Sequence, residues 1–322
     1  MMKILITDYD FPDIELERTL FRHAGVELVT AQCRSEDEVI AASAGCDGLL
    51  VQYAPVNARV FAARPEIRIV SRYGAGFDTV NTADAARHGV WVANSPDYGV
   101  GEVATHALAM TLSLLRHIAF YDRDIKAGIW HYTSAGKMRR VGDMTLGIVG
   151  LGRIGKRMAH LARNSFRRVI ACDPYIIDGD FPPYVERVTL QDLFSQADAV
   201  SLHVPLNEET RDMIDAPLLS RMKAGGVLVN TSRGAVVDID ALLDALDARG
   251  LDGAALDVLP VEPPDIDARI VRHPRVLLTP HAAFYSEVAG EELRRKAAQN
   301  LIDWKRNGRP TYVVVQGEKQ SA

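Results

Sequence analysis

Cysteine is scarce in this chain: Cys33, Cys46 and Cys172 are the three in 322 residues, and no C-x-x-C pair occurs. That spacing speaks against both a disulfide framework and a thiolate metal site, so no metal is expected and a reducing cytoplasm fits best. Excess positive charge is missing as well. With a formal net charge of -5 and a pI near 6.0, the chain offers no broad positive field to a polyanion, and nucleic acid is not an expected partner. No apolar run reaches the roughly 20 residues of a membrane-spanning helix, and no membrane is expected either. The most apolar helical stretch, EVATHALAMTLSLL, carries Glu102 and His106 and reads as a packed helix, suited to a subunit interface. The opening MMKILITDYD enters a strand-like run without the basic segment, apolar core and cleavage site of a signal peptide, so export is not expected. Internal repeats are missing too, and only QGEKQSA at the end reads as disordered.

What is present is the composition of an ordinary globular protein, 48% hydrophobic and 25% charged, in a chain long enough for two cores. Short apolar runs alternate with helical patterns. The first series is KILIT (3–7), GLLV (48–51), RIVSR (68–72) and VWVA (90–93). The second is TLGIVGLG (145–152), RVIACD (168–173), AVSLH (199–203), GVLVNTS (226–232), GAALDV (253–258) and RVLLTPH (275–281). Near-continuous apolar strands are what sheets covered on both faces require, so the pattern predicts two doubly wound α/β domains with parallel sheets. A long helix over about 101–120 lies between the series and is expected to cross between domains. The last helix, 286–308, has no sheet following it and is expected to cross back. The expected domains are therefore 1–99 with 286–322, and 100–285.

GIVGLGRIGKR places Gly150-x-Gly152-x-x-Gly155 after an apolar strand and before a helical pattern. In that context Gly150 permits the tight turn, Gly152 lets a pyrophosphate approach the backbone, and Gly155 allows helix to pack on strand. The helix N-terminus then offers free N–H groups to the anion. The next strand ends in Asp173, where a carboxylate accepts ribose hydroxyls and repels a 2'-phosphate; Pro174 and Tyr175 supply no arginine to receive one. NAD is the expected cofactor.

Ligands of open α/β sheets bind beyond the carboxyl ends of the strands, which directs attention to Arg233, Asp257, Glu262 and His281. A lone histidine between proline and alanine is usually structural, and Arg233 and Glu262 taken singly read as surface groups. Together they suit a 2-hydroxy or 2-oxo acid. A histidine takes and returns the hydroxyl proton while hydride moves at C2, Glu262 favours its imidazolium, and Arg233 binds the carboxylate and polarises the carbonyl.

Through SRYGAGFDTVN (71–81), LGIVGLGRIGKR (146–157), HVPLNEETRDMID (203–215), VLVNTSRGAVVD (227–238), ALDVLPVEPP (255–264) and LLTPHAAF (277–284), the chain resembles the D-isomer-specific 2-hydroxyacid dehydrogenases over nearly its whole length. The resemblance implies that Arg233, Glu262 and His281 are catalytic. It implies a Rossmann NAD-binding domain inserted in a flavodoxin-like substrate domain, and a homodimer built on the inserted domain. The backbone around Tyr73, Gly74, Ala75 and Gly76 would cradle the substrate carboxylate. Arg153 and Ile154 would cover the pyrophosphate, His203 would lie in the cofactor site, Thr231 and Ser232 would line the nicotinamide pocket, and Asp257 would accept from the carboxamide. TPHAAFYSE looks most like the C-terminal-binding protein corepressors and their bacterial relatives, which carry Trp where this chain has Phe284. The segment WHYTSAGKMRR (130–140) departs from the family wording; its His131, Lys137, Arg139 and Arg140 could face an acidic substrate or solvent, and solvent is the expectation.

An NAD-dependent D-2-hydroxyacid dehydrogenase working as a 2-oxo acid reductase is the first expectation. An NAD(H)-sensing corepressor-like binding protein is the second. Glu262 stands where formate-oxidising relatives place Gln, which disfavours formate, while phosphite and phosphoglycerate oxidation remain alternatives.

Overall fold

The computed structural model describes residues 1–318. The chain forms two compact units, one of Met1–Gly99 with the segment from Ser286 onward, the other of Val100–Tyr285.

In the first unit, β1 (Lys3–Ile6), β2 (Glu27–Thr30), β3 (Gly48–Val51), β4 (Ile69–Arg72) and β5 (Trp91–Ala93) run parallel, linked by α1 (Glu15–His23), α2 (Glu36–Ala42), α3 (Ala58–Ala63) and α4 (Thr82–Arg87). Their order, 2-1-3-4-5, is flavodoxin-like. β2 lies outside the apolar pattern read from the sequence, because its ends, Glu27 and Thr30, are exposed at the sheet edge. The last helix, α12 (Glu287–Asn307), starts on Ser286, whose hydroxyl accepts from the Ala289 amide at 3.0 Å, and stops at Gly308 with φ +68°. After it β13 (Val313–Val315) pairs antiparallel with β5, which corrects the expectation that no sheet element follows the last helix. Three residues are too few for periodicity to reveal a strand. The tail read as disordered is in part anchored: the Glu318 amide donates to Gly89 O and its carbonyl accepts from Trp91 Nε1, both at 2.9 Å. Residues 319–322 lie outside the described residues.

The second unit holds β6 (Thr145–Val149), β7 (Arg168–Cys172), β8 (Glu186–Arg187), β9 (Ala199–Leu202), β10 (Gly226–Asn230), β11 (Leu251–Leu256) and β12 (Val276–Leu278), all parallel. Its helices are α5 (Val100–Leu115), α6 (Ile118–Lys126), α7 (Arg153–Ala162), α8 (Leu190–Gln196), α9 (Ala216–Leu219), α10 (Ile239–Asp247) and α11 (Arg269–Arg272). The order β12-β11-β10-β9-β6-β7-β8 reverses direction between β6 and β9, which opens a crevice at the carboxyl ends of those strands. Along β6, Leu146 and Ile148 enter one core with Met158, Ala159 and Val169, while Val149 enters the core on the opposite face with Leu193, Leu202 and Leu228. Burial on both faces explains why these strands read as continuous apolar runs.

The single helix expected over 101–120 is two helices, α5 and α6, meeting at 59°. His117 breaks it with φ +50°. No glycine or proline marks the place; the imidazole instead stands edge-on to Phe120 and lies 4.0 Å from Asp252, a contact that only the folded unit supplies. No single helix among the described residues is long and apolar enough to cross a membrane.

Arg139, expected to face solvent, has a partner: Asp198, almost fully buried at the head of β9. The Asp198 carboxylate accepts from Arg139 Nη1 at 2.7 Å, the Thr145 amide at 2.8 Å and Lys223 Nζ at 3.3 Å. Burial works to raise its pKa, but the Thr145 amide and the two cations outweigh burial and hold it below the usual carboxylate range. A depressed folded pKa contributes stability above the unfolded value of about 3.9, lost as pH falls through the lower folded one. Arg139→Ala should therefore cost about 1–2 kcal/mol at neutral pH, a deficit that narrows only below about pH 4; paired thermal melts at pH 7 and pH 3.5 check it.

Candidate active site

The glycine loop joins β6 to α7. Gly150 adopts φ +88°, and a Cβ there would lie 2.7 Å from the His203 carbonyl oxygen, so the loop runs flush against the segment after β9. A Cβ on Gly155 would come within 2.1 Å of Gly150 O, which is the close packing of helix on strand that the spacing predicts. A Cβ on Gly152 would meet nothing within 4 Å. That open side faces the start of α7, where Arg153 and Ile154 occupy the first turn and no side chain caps the helix. At the end of β7, Asp173 accepts from the Leu151 amide at 2.8 Å and the Tyr175 amide at 3.0 Å, so its carboxylate is fixed beside the loop. Burial pushes the His203 imidazole down to about 4, so the ring is neutral, with Nε2 2.9 Å from Ser201 Oγ. Beyond β10, the Thr231 hydroxyl is buried and finds no partner among the described residues, whereas Ser232 Oγ donates to Asn230 Oδ1 at 2.8 Å. Uncapped helix amides, an open glycine and an orphaned hydroxyl fit a dinucleotide spanning this crevice.

Along the same sheet edge His281 Nδ1 lies 2.6 Å from Glu262 Oε2. Glu262 Oε1 accepts from the Leu259 amide at 2.8 Å. Burial works to raise the Glu262 pKa, yet the His281 ring, the Leu259 amide and the charge of Arg233 outweigh it and hold the carboxyl below its usual range. An ionised Glu262 makes Nδ1–H the donor and leaves Nε2 as the ring's free acid–base atom. Both side chains keep about a third of their surface exposed, 34% and 35%, so a ligand can reach them.

Arg233 follows β10 in extended backbone, and its Nη1 donates to Ser232 O at 2.9 Å. The next residue explains its nearness to Glu262. A Cβ on Gly234 would fall 2.0 Å from the Leu259 carbonyl carbon and 2.3 Å from Pro260 N, so backbone lies on backbone between the two loops. This glycine is not legible as a site residue in the sequence, where its signal is its place after Arg233. Gly234→Ala must push the loops apart. A shift of about 1 Å between reacting groups costs on the order of 100-fold in kcat/KM, the loss expected here alongside a lowered melting temperature.

Asp257, almost fully buried, holds the histidine loop. Its Oδ1 accepts from the Thr279 hydroxyl at 2.5 Å and the Ala282 amide at 2.8 Å; its Oδ2 accepts from the Ala283 amide at 3.0 Å. Its carbonyl takes the His281 amide at 2.8 Å. These bonds hold His281 at φ +51°, a conformation costly for a non-glycine residue. Thr279 and His106, whose Nε2 lies 3.0 Å from Thr279 Oγ1, extend this network and were not legible as site residues. The Phe284 ring stands edge-on to His281, centroids 6.4 Å apart.

In the first unit, the turn 73–76 follows β4. Gly74 takes φ +138°; its carbonyl accepts from the Ser95 amide at 2.9 Å, and the Ala75 carbonyl from Asn94 Nδ2 at 2.7 Å. Across a trans peptide the amide points opposite its carbonyl, so the Ala75 and Gly76 amides face away from 94–95. Among the described residues neither finds an acceptor, which leaves a nest of donors suited to an anion. The Tyr73 ring turns away from this cradle into the core.

Residues 108–283, more than half of the chain, match the NAD binding domain of the D-isomer specific 2-hydroxyacid dehydrogenases. The chain is 38% identical to a glyoxylate reductase of Korarchaeum cryptofilum over 88% of this chain and 86% of that protein. It is 35% identical to the D-3-phosphoglycerate dehydrogenase of Bacillus subtilis over 80% of this chain, but spans only 49% of that protein's length. Its fold superposes with a TM-score of 0.86 and 28% identity on an NADPH-dependent glyoxylate/hydroxypyruvate reductase from Sinorhizobium meliloti, solved with NADP and malonate, covering 100% of this chain and 99% of that one. A glycine loop and a paired histidine and glutamate at the carboxyl end of one parallel sheet, in a chain with these relatives, identify a member of the D-isomer specific 2-hydroxyacid dehydrogenase family, NAD-binding oxidoreductases that act on the CH–OH group of 2-hydroxy acids.

Proposed function

We propose that the protein reduces a small 2-oxo acid with NADH, using His281 as proton donor, Glu262 as its partner and Arg233 as carboxylate anchor. The observation that carries this reading is the 2.6 Å His281–Glu262 pair at the carboxyl end of the same parallel sheet that carries the glycine loop. Bound nicotinamide supplies the two electrons, exchanged as hydride with C2 of the acid. His281 Nε2 gives its proton to the C2 oxygen, and the anionic Glu262 on Nδ1 stabilises the ring before that transfer. Arg233 binds the acid's carboxylate and draws charge from the carbonyl; the first unit, taken by itself, offers the Ala75 and Gly76 amides as donors for a substrate carboxylate. Gly150, Gly152, Arg153, Ile154 and Gly155 hold the pyrophosphate, Thr231 and Ser232 line the nicotinamide site, and His203 borders the cofactor as a neutral ring. Similarity to the K. cryptofilum glyoxylate reductase supports a small acid. Preference for NADH is supported by Asp173, which would confront a 2'-phosphate with a fixed negative charge.

The protein works as a homodimer through its cofactor domain. Supporting this, Ile118, Ile125, Ile129, Trp130 and Tyr132 expose large apolar surfaces, and several of them line a cavity of about 630 Å³ with Tyr121 and Met138. Three free thiols suit a reducing cytoplasm. Cofactor oxidation with glyoxylate, hydroxypyruvate, pyruvate and larger 2-oxo acids tests the function. Turnover of one acid with NADH, at least tenfold faster than with NADPH, is expected; tight NADH binding without turnover of any acid would overturn the reading.

A further inference from the structure

α12 contributes no residue to the dyad or to the glycine loop, yet two of its polar side chains, the partly buried Arg294 and the buried Asn300, lead to the 73–76 turn. Arg294 Nε and Nη2 donate to the two oxygens of Glu17 at 2.8 and 2.6 Å, and Tyr73 Oη donates to Glu17 Oε1 at 3.0 Å. Glu17 is fully buried, and the Arg294 guanidinium lies over Phe11, whose ring meets Tyr73 edge-on. Burial and the Glu17 carboxylate hold the Tyr73 phenol well above its usual pKa, so its hydroxyl remains a donor. The second path starts at Asn300, also fully buried, whose Nδ2 donates to Asn94 O at 2.9 Å; Asn94 Nδ2 in turn donates to Ala75 O.

We propose that Arg294 and Asn300 are positioning residues for substrate binding, acting through Glu17–Tyr73 and through Asn94 to fix the 73–76 turn with its amides turned outward. The inference rests on the reading that this turn receives the substrate carboxylate. Stability alone gives a weak reason for such a device, since a buried ion pair is commonly replaceable by apolar residues of similar volume without loss. Geometry gives a stronger one. With Tyr73 anchored at one end and the Gly74 and Ala75 carbonyls bound to 94–95, the turn cannot rotate its peptide planes, and the donors are set before the substrate arrives.

Two variants separate positioning from packing. Glu17→Leu with Arg294→Met removes the buried charges together, and Asn94→Ala releases the Ala75 carbonyl. Each is expected to raise KM for the 2-oxo acid about tenfold and the inhibition constant of oxalate in parallel, with kcat changed less than threefold and the NADH dissociation constant less than twofold. Folded variants with unmoved KM, whatever their melting temperatures, overturn the tethers while leaving the proposed reaction intact. If the double variant does not fold, Asn94→Ala decides alone. A wild-type protein inactive on every acid overturns the reaction and the tethers together.

Discussion

His281→Ala should lower kcat by about 10³- to 10⁴-fold and leave NADH affinity nearly unchanged. The size follows from what the ring supplies. Reduction leaves an alkoxide at C2 unless a proton arrives with the hydride, and the trio proposed for catalysis contains no second group able to give one: Glu262 is held ionised and arginine does not release its proton. Retained cofactor binding follows from geometry, because the loop of Gly150, Gly152 and Gly155 and the Asp173 carboxylate make no hydrogen bond to the imidazole. Steady-state NADH oxidation and a fluorescence titration of NADH measure the two halves. Loss of both together would mean that the ring holds the fold of its loop; undiminished turnover would remove it from the chemistry.

Arg233→Lys should lower kcat/KM by about 100-fold, with the loss divided between KM and kcat. A guanidinium grips a carboxylate with two parallel N–H bonds, and the ammonium that replaces it is a point charge on a flexible stem. Losing one charge-assisted bond costs about 1.5–3 kcal/mol, and each 1.36 kcal/mol is roughly tenfold in rate. Lysine also cannot reproduce the Nη1 bond to Ser232 O that orients the fork. A change in KM alone would assign Arg233 to binding without carbonyl polarisation, and an unchanged kcat/KM would exclude it from the site.

Much of this site is legible in the sequence because its parts are local. A tight turn and helix packing select for glycine at Gly150 and Gly155, whose would-be Cβ atoms clash with His203 O and Gly150 O. Strand ends advertise Arg233, Asp257 and His281 because apolar runs stop there. The ion pair between Arg139 and Asp198 was not legible, since 59 residues separate groups that meet only when β9 lies beside β6. The same holds for His117, whose helix-breaking conformation is supported by Asp252, far along the chain.

The sequence by itself determined the class of fold, the glycine loop between strand and helix and the polar residues that stand at the strand ends, because periodicity, turn chemistry and functional groups belong to short stretches. Only the tertiary structure decided that His281 Nδ1 meets Glu262, that Gly234 brings the arginine loop onto the glutamate loop, and that Asp257 is largely spent on holding the histidine in place. Hydrogen bonds between distant segments are set by sheet order and loop packing, and those come from the whole core at once.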